Sequence, residues 1–323
     1  MFDATIRREP SDFLVTEIID FELSGDGEHD FLWIEKKAAN TAWVSLALAR
    51  HASVAAVDVG YAGLKDRHAI TKQWFSVRRP TGAGTDWGMF EAEGVRLLAL
   101  ERHNRKLRRG AHRGNSFRIG LRSAGIDSKH HEITRRVGVI RDQGVPNYFG
   151  EQRFGRDGGN LDLARAVFAG RRVKRDKRSI AFSAARSFLF NLILDARVRS
   201  QTWNKLRAGD VANLDGSGSI FSVDELTHEL LDRCSTRDIH PTGTLWGDGA
   251  PRTAGDVAAA ELDAIAGHES LLEGLKNARV DASSRALRLV ADGMSFEFGD
   301  NVLWLDFILP KGGFATIVLR ELF

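Results

Sequence analysis

The most informative stretch of this chain, residues 63–73, reads Gly-Leu-Lys-Asp-Arg-His-Ala-Ile-Thr-Lys-Gln. It places the carboxylate of Asp66 between two cations, after a glycine and before the strand-like run Trp74–Val77. A carboxylate beside cations stays ionised, and at the end of a strand it can be presented as a nucleophile. A solvated charged turn has the same pattern, so the pattern alone leaves both interpretations open.

Strand patterns flank this stretch on both sides, at Phe13–Ile18, Phe31–Lys36, Val57–Leu64, Gln73–Val77, Arg96–His103 and Ser116–Arg122. Asn40 or Thr41 can cap one helix, and a second is predicted from Ser128 to Asp142, ending at Gly144. Residues 161–285 have mainly helical periodicity, which is clearest over 183–200 and 261–275. Strand patterns return at Leu287–Phe298 and Val302–Leu309, joined by a hairpin-type turn at residues 299–301.

This order of elements predicts an α+β fold of about two domains, as suits a chain of 323 residues. We expect one α+β domain, formed by residues 1–150 and 287–323, that is interrupted by a mainly helical insertion of residues 151–286. Both ends of the chain would then return to the same sheet.

Composition narrows the class of protein. The longest apolar runs, such as Trp43–Ala49, are shorter than the roughly 20 residues that span a bilayer, and residues 1–10 contain no secretory apolar segment. Cys234 is the single cysteine, which excludes an internal disulfide and a multi-cysteine zinc site. No phosphate-binding or dinucleotide-binding glycine motif is present. We therefore expect a cytoplasmic protein with no membrane segment, no metal and no cofactor.

The net charge of +3 is small, but the cations are clustered. Between Arg102 and Arg122 there are eight Lys or Arg residues and no acid, and between Arg171 and Arg178 there are six against one Asp. Clustered cations on a balanced protein are typical of nucleic-acid binding. A solvated basic face fits equally well, and charge does not distinguish DNA from RNA.

Five ordered stretches resemble the signature motifs of the TruD family of tRNA pseudouridine synthases. They are Arg8–Glu17, Gly63–Gln73, Arg113–Ile119, Val145–Gly155 and Phe307–Thr316. Residues 183–187 and 241–247 also resemble that family. A single Lys-Asp pair would carry little weight, whereas five motifs in the family's order span almost the whole chain.

The resemblance implies a pseudouridine-synthase-type catalytic domain with a mixed or antiparallel sheet, interrupted by a TRUD insertion domain. It implies a cofactor-free isomerase that converts uridine, expected to be uridine 13 in the D-arm of tRNA, to pseudouridine. The partner would be tRNA, with the enzyme acting as a monomer that needs no other protein. Asp66 would be the nucleophile.

The resemblance also assigns substrate-contacting residues. Phe117 corresponds to a ring that stacks on the extruded base, and Asn115 shares its strand face and can pair with a uracil edge. Phe13 and Phe314 match substrate-contacting positions, and Arg7 could reach a phosphate. By residue type alone, each Phe also fits a packed core, and Asn115 also fits a turn.

Two cations, Lys65 and Arg67, are the immediate neighbours of Asp66 in the sequence. If residues 65–67 are extended, Lys65 and Arg67 point away from Asp66, because side chains alternate faces. We therefore expect them to contact RNA or the loop. The sequence does not identify the cation that accompanies Asp66.

Two rival interpretations remain open at this point. One is an RNA-binding protein that has the same fold and no activity. The other is a pseudouridine synthase that acts on ribosomal or messenger RNA.

Overall fold

The computed structural model describes residues 5–6, 8–79, 84–123 and 125–322, apart from the side chain of Asp127. The chain forms two compact units. The first contains the described residues up to Arg141, with Ala291–Gly313 and Leu322, and the second contains Asp142–Val290 with Phe314–Glu321. These divisions lie within ten residues of the predicted boundaries at 150/151 and 286/287, except that residues 314–321 cluster with the second unit. The domain assignment itself stays a prediction.

The described strands are β1 (Thr5–Ile6), β2 (Phe13–Ile18), β3 (His29–Lys37), β4 (Val59–Tyr61), β5 (Ile70–Arg78), β6 (Val95–His103), β7 (Gly114–Arg122), β8 (Val145–Pro146), β9 (Val211–Leu214), β10 (Ile220–Ser222), β11 (Ile239–Leu245), β12 (Ser283–Ala286), β13 (Arg288–Leu289), β14 (Asp292–Gly299) and β15 (Val302–Pro310). The helices are α1 (Thr41–His51), α2 (His130–Gln143), α3 (Gly159–Phe168), α4 (Arg175–Arg199), α5 (His228–Ser235), α6 (Gly255–Ala264), α7 (Glu269–Asn277) and α8 (Ala315–Arg320).

A mixed sheet forms the first unit, with strand order β14-β15-β7-β2-β5-β3-β6, while β1 pairs with β7 and β4 with β5. Strands β2 and β5 are parallel, and the other pairs are antiparallel. The N-terminal strand β2 and the C-terminal strand β15 both pair with β7. Strands from the N-terminal and the C-terminal parts of the chain therefore lie side by side in one sheet.

The register of this sheet aligns one row of residues across five strands. Lys36 of β3 pairs with Thr71 of β5, and Thr71 pairs with Val15 of β2. Val15 pairs with Phe117 of β7, which pairs with Phe307 of β15. Paired residues share a face, so this row carries a cation, a hydroxyl and two aromatic rings on the same side of the sheet.

Helix α1 packs on this sheet because its apolar side chains recur at helical spacing. Val44 and Leu48 are fully buried against Leu32, Ile34 and Phe75. Burying each such side chain contributes roughly 1.5–3 kcal/mol. The helix begins where predicted, since the Asn40 side chain accepts a hydrogen bond from the Ala42 amide at 2.8 Å. This cap fixes the chain immediately after β3.

The second unit contains a four-stranded antiparallel sheet of order β10-β9-β11-β12 and a two-stranded sheet of β8 and β13. Among the helices in the described part of the chain, α4 is the one that is long and apolar enough to cross a membrane, judged by length and composition. Its buried residues Ala185, Leu189, Phe190 and Ile193 pack in the apolar cores of this unit. It is therefore the central core helix of the second unit.

Several sequence predictions of elements were wrong in detail. Residues 261–275, predicted as one helix, form the separate helices α6 and α7, and Gly267 lies between them at φ +82°. Residues 287–298, predicted as one strand, form β13 and β14, and Gly293 adopts φ +61° at the second. A positive φ is available to glycine at low cost and breaks a regular element. The predicted strand 57–64 shrinks to β4, and the sheet of β9 to β12 was missed.

Candidate active site

Asp66 lies in the irregular loop between β4 and β5 and is half-buried. Its Oδ1 atom accepts a hydrogen bond from the His68 amide at 2.9 Å. This local turn is one that Asp forms readily, because its short side chain can bond the backbone two residues on. The carboxylate is therefore held in a defined orientation while remaining within reach of solvent.

The side chain of Lys36 lies beneath this loop and is fully buried. Its ammonium donates to the backbone oxygens of Ala39 at 2.8 Å, of Asp66 at 2.9 Å and of Lys65 at 3.5 Å. These bonds tie the Asp66 backbone to the turn between β3 and α1. Lys36 therefore fixes the position from which the carboxylate is presented.

The charge of Lys36 is maintained against burial. Burial lowers the pKa of the Lys36 ammonium to about 8, opposed by the Asp66 carboxylate and assisted by the Lys65 ammonium. At neutral pH the buried ammonium is still mostly protonated, so its positive charge faces Asp66. Lys36 is thus a cation that accompanies Asp66, and the sequence did not identify it.

Lys65 forms a buried ion pair with Glu17. The two charged atoms lie 2.7 Å apart, and the side chains are 4% and 0% exposed. Glu17 also accepts a hydrogen bond from the Trp74 amide at 3.1 Å. The expectation that Lys65 contacts RNA or only its own loop is therefore wrong, because a buried charge must be paired within the protein. Arg67 is exposed, and its side chain donates to the Ala38 carbonyl at 3.4 Å.

A chain of hydrogen bonds orients the loop from its other side. The Lys65 amide donates to the Thr41 hydroxyl at 3.0 Å, and that hydroxyl donates to the Gln73 side chain at 3.0 Å. The Gln73 amide group donates in turn to the Gly63 carbonyl at 3.2 Å. Helix α1 and strand β5 therefore both hold the backbone beside Asp66.

Phe117 lies within an aromatic stack on the face that carries Lys36. Its ring stacks on Phe307 with centroids 5.5 Å apart and meets Phe13 edge-on at 6.2 Å. Phe117 is 8% exposed and Phe13 is 3% exposed. Core packing accounts for both rings in this structure, so their contacts with a substrate stay predictions.

The buried polar atoms without a hydrogen-bond partner among the described residues include Asn115 Oδ1, Thr71 Oγ1 and His112 Nδ1. An unpartnered buried polar atom costs roughly 1–3 kcal/mol, so native proteins leave few of them. Asn115 and Thr71 lie on the same face of the sheet as Phe117. A ligand that brings its own donors and acceptors would satisfy these atoms.

His112 was missed by sequence reasoning. A Cβ atom placed on Gly63 would lie 3.3 Å from its ring, so the imidazole packs closely on the loop that carries Asp66. Burial, and then the charges of Lys65 and Lys311, lower the pKa of His112 to about 4. The ring is therefore neutral at pH 7. Nothing in the sequence distinguishes His112 from the other residues of the basic loop in which it stands.

Two of the predicted residues cannot be placed beside Asp66. Arg7 lies outside the described residues. Phe314 belongs to the second compact unit, where its ring meets Phe149 edge-on at 6.5 Å and α8 begins immediately after it. Asp66, Phe13, Asn115 and Phe117 all belong to the first unit. Over the described ranges, no group of His, Cys, Asp or Glu residues is arranged to hold a metal ion.

Comparisons with known proteins agree over the whole chain. The family model of tRNA pseudouridine synthase D (TruD) matches residues 2–164 and 160–322. The tRNA pseudouridine synthase D of Methylococcus capsulatus is 47% identical over 320 residues, covering 98% of this chain and 90% of that protein. The enzyme of the same name from Aeromonas salmonicida is 45% identical over 318 residues, with the same coverage.

A solved structure has the same fold. The crystal structure of the putative tRNA pseudouridine synthase D of Methanosarcina mazei superposes with a TM-score of 0.77, covering 99% of this chain and 94% of that one. The two sequences are 20% identical, so this match supports the fold alone.

Proposed function

The chain belongs to the tRNA pseudouridine synthase D (TruD) family, and we propose that it isomerises uridine to pseudouridine in tRNA. The observation that carries the proposal is the arrangement around Asp66. The backbone oxygen of half-buried Asp66 accepts a hydrogen bond from the fully buried ammonium of Lys36, in a loop that α1 and β5 hold through Thr41 and Gln73. Such preorganisation suits a catalytic carboxylate better than a solvated surface turn.

The reaction needs a nucleophile and a pocket that holds the uracil base. The bond between C1′ of the ribose and N1 of uracil breaks, the base rotates, and a bond forms between C1′ and C5. C5 loses a proton and N1 gains one, so substrate and product are isomers and no redox partner is needed. Asp66 acts as the nucleophile, and the backbone bonds from Lys36 keep it in place while the base moves.

The target base must leave its stack to reach Asp66. We propose that Asn115 pairs with the uracil edge, because its Oδ1 atom is buried without a partner in the described structure. Phe117 would stack on the base, and Phe13 would support that ring edge-on. Arg7 and Phe314 are proposed as further substrate contacts on the strength of their motifs alone.

We propose uridine 13 in the D-arm of tRNA as the target, a cytoplasmic location, and action as a monomer. The names of these relatives support tRNA as the substrate class. Two basic segments, Arg102–Arg122 in the first unit and Arg171–Arg178 in the second, offer contacts to RNA phosphates.

The test compares Asp66→Ala and Asp66→Asn with the wild type on unmodified tRNA, measuring both pseudouridine formation and RNA binding. Asp20→Asn removes an exposed acid in the same unit and serves as the control. We expect both Asp66 variants to lose conversion while binding tRNA, and Asp20→Asn to act as the wild type does. Turnover at the wild-type rate by either Asp66 variant would contradict the proposal.

Two further outcomes decide between the remaining alternatives. If the wild type binds tRNA and never converts uridine, the protein is an RNA-binding member of the family without activity. If pseudouridines lost from cells that lack the protein map to ribosomal or messenger RNA, the substrate assignment fails while the chemistry stands.

A further inference from the structure

The basic loop between β6 and β7, residues 104–113, is firmly seated on the first unit. Leu107 is buried, and its amide donates to the Ser76 hydroxyl at 2.9 Å. The Gly110 amide donates to the Ala62 carbonyl at 2.7 Å, and the Lys106 ammonium donates to the Val57 carbonyl. The loop is therefore shaped before any partner binds, which lowers the entropic cost of binding.

A cavity of about 730 Å³ opens on one side of this loop. Its wall includes the aromatic residues Phe21, Phe31 and His103 and the cations Arg105, Lys106 and Arg108. Cavities that bind small molecules or single nucleotide units have volumes of roughly 300–1,000 Å³. No residue of the Asp66 loop lines this cavity, so it is separate from the candidate active site.

The aromatic floor of the cavity is fixed in place. The His103 ring lies 5.5 Å from Phe21 and 5.2 Å from the fully buried Phe31. His103 Nδ1 accepts a hydrogen bond from the Ser24 amide at 3.2 Å, which sets the ring's orientation. Phe21 and His103 are both half-buried, so each leaves part of a ring surface accessible.

The cationic wall is available to a ligand. Arg105 and Arg108 are exposed, and within the described ranges neither has an ion pair or hydrogen bond to its side chain. Among the described residues, Glu22 is the single acid in the cavity wall. Aromatic rings bordered by cations are the combination that binds single-stranded nucleotides, since the rings stack on bases and the cations contact phosphates.

We propose that this cavity binds a second nucleotide of the RNA substrate, its base against Phe21 and His103 and its phosphates beside Arg105 and Arg108. The inference rests on the proposed function in that RNA is the ligand. It adds a recognition site at which an unpaired nucleotide, other than the target uridine, positions the RNA.

The first experiment uses Phe21→Leu, which removes the ring, and Phe21→Tyr, which keeps it. We expect Phe21→Leu to weaken tRNA binding about fivefold or more, with kcat at saturating tRNA within about twofold of the wild type. We expect Phe21→Tyr, which keeps the ring, to bind tRNA as the wild type does. Melting temperatures of both variants check that the fold is intact. Equal tRNA affinity for wild type and Phe21→Leu would overturn the proposal.

The second experiment removes charge without touching the core. The double variant Arg105→Ala/Arg108→Ala should bind tRNA more weakly and reduce the slope of log Kd against log salt by about one to two, because each phosphate contact contributes roughly 0.7–0.9. Arg50→Ala, an exposed cation at the end of α1, should leave the slope unchanged. An unchanged slope in the double variant counts against the cavity.

The third experiment identifies the nucleotide. Substrate RNAs are prepared in which one residue at a time, other than the target uridine, is abasic. We expect one abasic RNA to bind the wild type more weakly and to bind Phe21→Leu no differently from intact RNA. A uniform response at every position would overturn the proposal. Because binding is measured directly, a wild type that never converts uridine but shows this pattern would refute the proposed function and leave the second site standing.

Discussion

The ammonium of Lys36 donates a hydrogen bond to the backbone oxygen of Asp66 at 2.9 Å, from a position that is fully buried. The bond is to the backbone, so it fixes the position of the residue that carries the carboxylate. The charge acts through space, since the Asp66 carboxylate opposes the lowering of the Lys36 pKa. One side chain therefore both places the carboxylate and faces it with positive charge.

This relationship predicts that activity and stability respond to alkaline pH in opposite directions. The Lys36 pKa is lowered in the folded protein from its usual 10.5 to about 8. As pH rises through about 8 the ammonium loses its proton, and kcat should fall. Between about 8 and 10.5 the unfolded chain binds more protons at this site than the folded one, so the stability contribution of Lys36 rises with pH.

The measurements are a pH–rate profile and thermal unfolding from pH 7 to 10.5, on the wild type and on Lys36→Met. The variant cannot titrate here, and we expect a low kcat without the alkaline limb near pH 8. The other charges that face Lys36 are Asp66 and Lys65, and Lys65 is paired with Glu17. An alkaline limb of the same pKa in Lys36→Met would show that another group causes it.

His112 supplies a prediction at the acid end of the scale. Its pKa is lowered to about 4 from the usual 6.5, chiefly by burial. The unfolded chain therefore binds more protons at this residue between about pH 4 and 6.5, and its contribution to stability rises with pH over that window. The variant His112→Leu should show a smaller rise of the unfolding free energy from pH 4.5 to 6.5. NMR titration of the imidazole checks the same point, because a midpoint above pH 6 would refute the assignment.

The stacked rings of Phe117 and Phe307 allow core packing and substrate contact to be separated. Both rings are buried and lie 5.5 Å apart. Replacing either by Leu removes the aromatic pair and should cost about 1 kcal/mol in unfolding free energy. If Phe117 also stacks on the base, then Phe117→Leu should lower kcat or weaken binding about tenfold, while Phe307→Leu should change activity little. Equal activity losses in both variants would assign Phe117 to the core alone.

Much of the first unit could be predicted from the sequence, because its strands carry clear patterns and its turns carry clear residues. Strand β2 was predicted with its observed bounds, and Asn40 caps α1 as expected. The sheet of the second unit was missed because its strands are short, three residues in the case of β10, and have no clear alternation. The helix break at Gly267 was missed because a positive φ leaves no periodic signal.

Residues of the candidate site could be predicted only where they stand in a recognisable sequence motif. Asp66, Asn115 and Phe117 stand in recognisable stretches, and the structure places them in one unit. Lys36 was not predictable, because a lysine on a strand is usually exposed and its burial depends on carbonyls from two loops. The partner of Lys65 was equally hidden, since Glu17 lies 48 residues away along the chain.

Two buried threonines on neighbouring elements form a matched pair for a final prediction. Thr41 and Thr71 are both fully or nearly fully buried. The Thr41 hydroxyl bonds the Lys65 amide and Gln73, whereas the Thr71 hydroxyl has no partner among the described residues. In a binding site, such an unpaired atom forms its hydrogen bond with the ligand, and it lowers the stability of the ligand-free protein.

The unfolding free energy of Thr71→Val should therefore equal that of the wild type or exceed it by up to about 1 kcal/mol. The same variant should nevertheless convert tRNA with a raised KM or a lowered kcat. Thr41→Val should lose about 1–3 kcal/mol, because it leaves the Lys65 amide and the Gln73 oxygen unpaired. Urea unfolding and steady-state kinetics on both variants measure the two effects separately. If Thr71→Val is destabilised as much as Thr41→Val, then its hydroxyl serves the fold, and Thr71 has no place in the binding pocket.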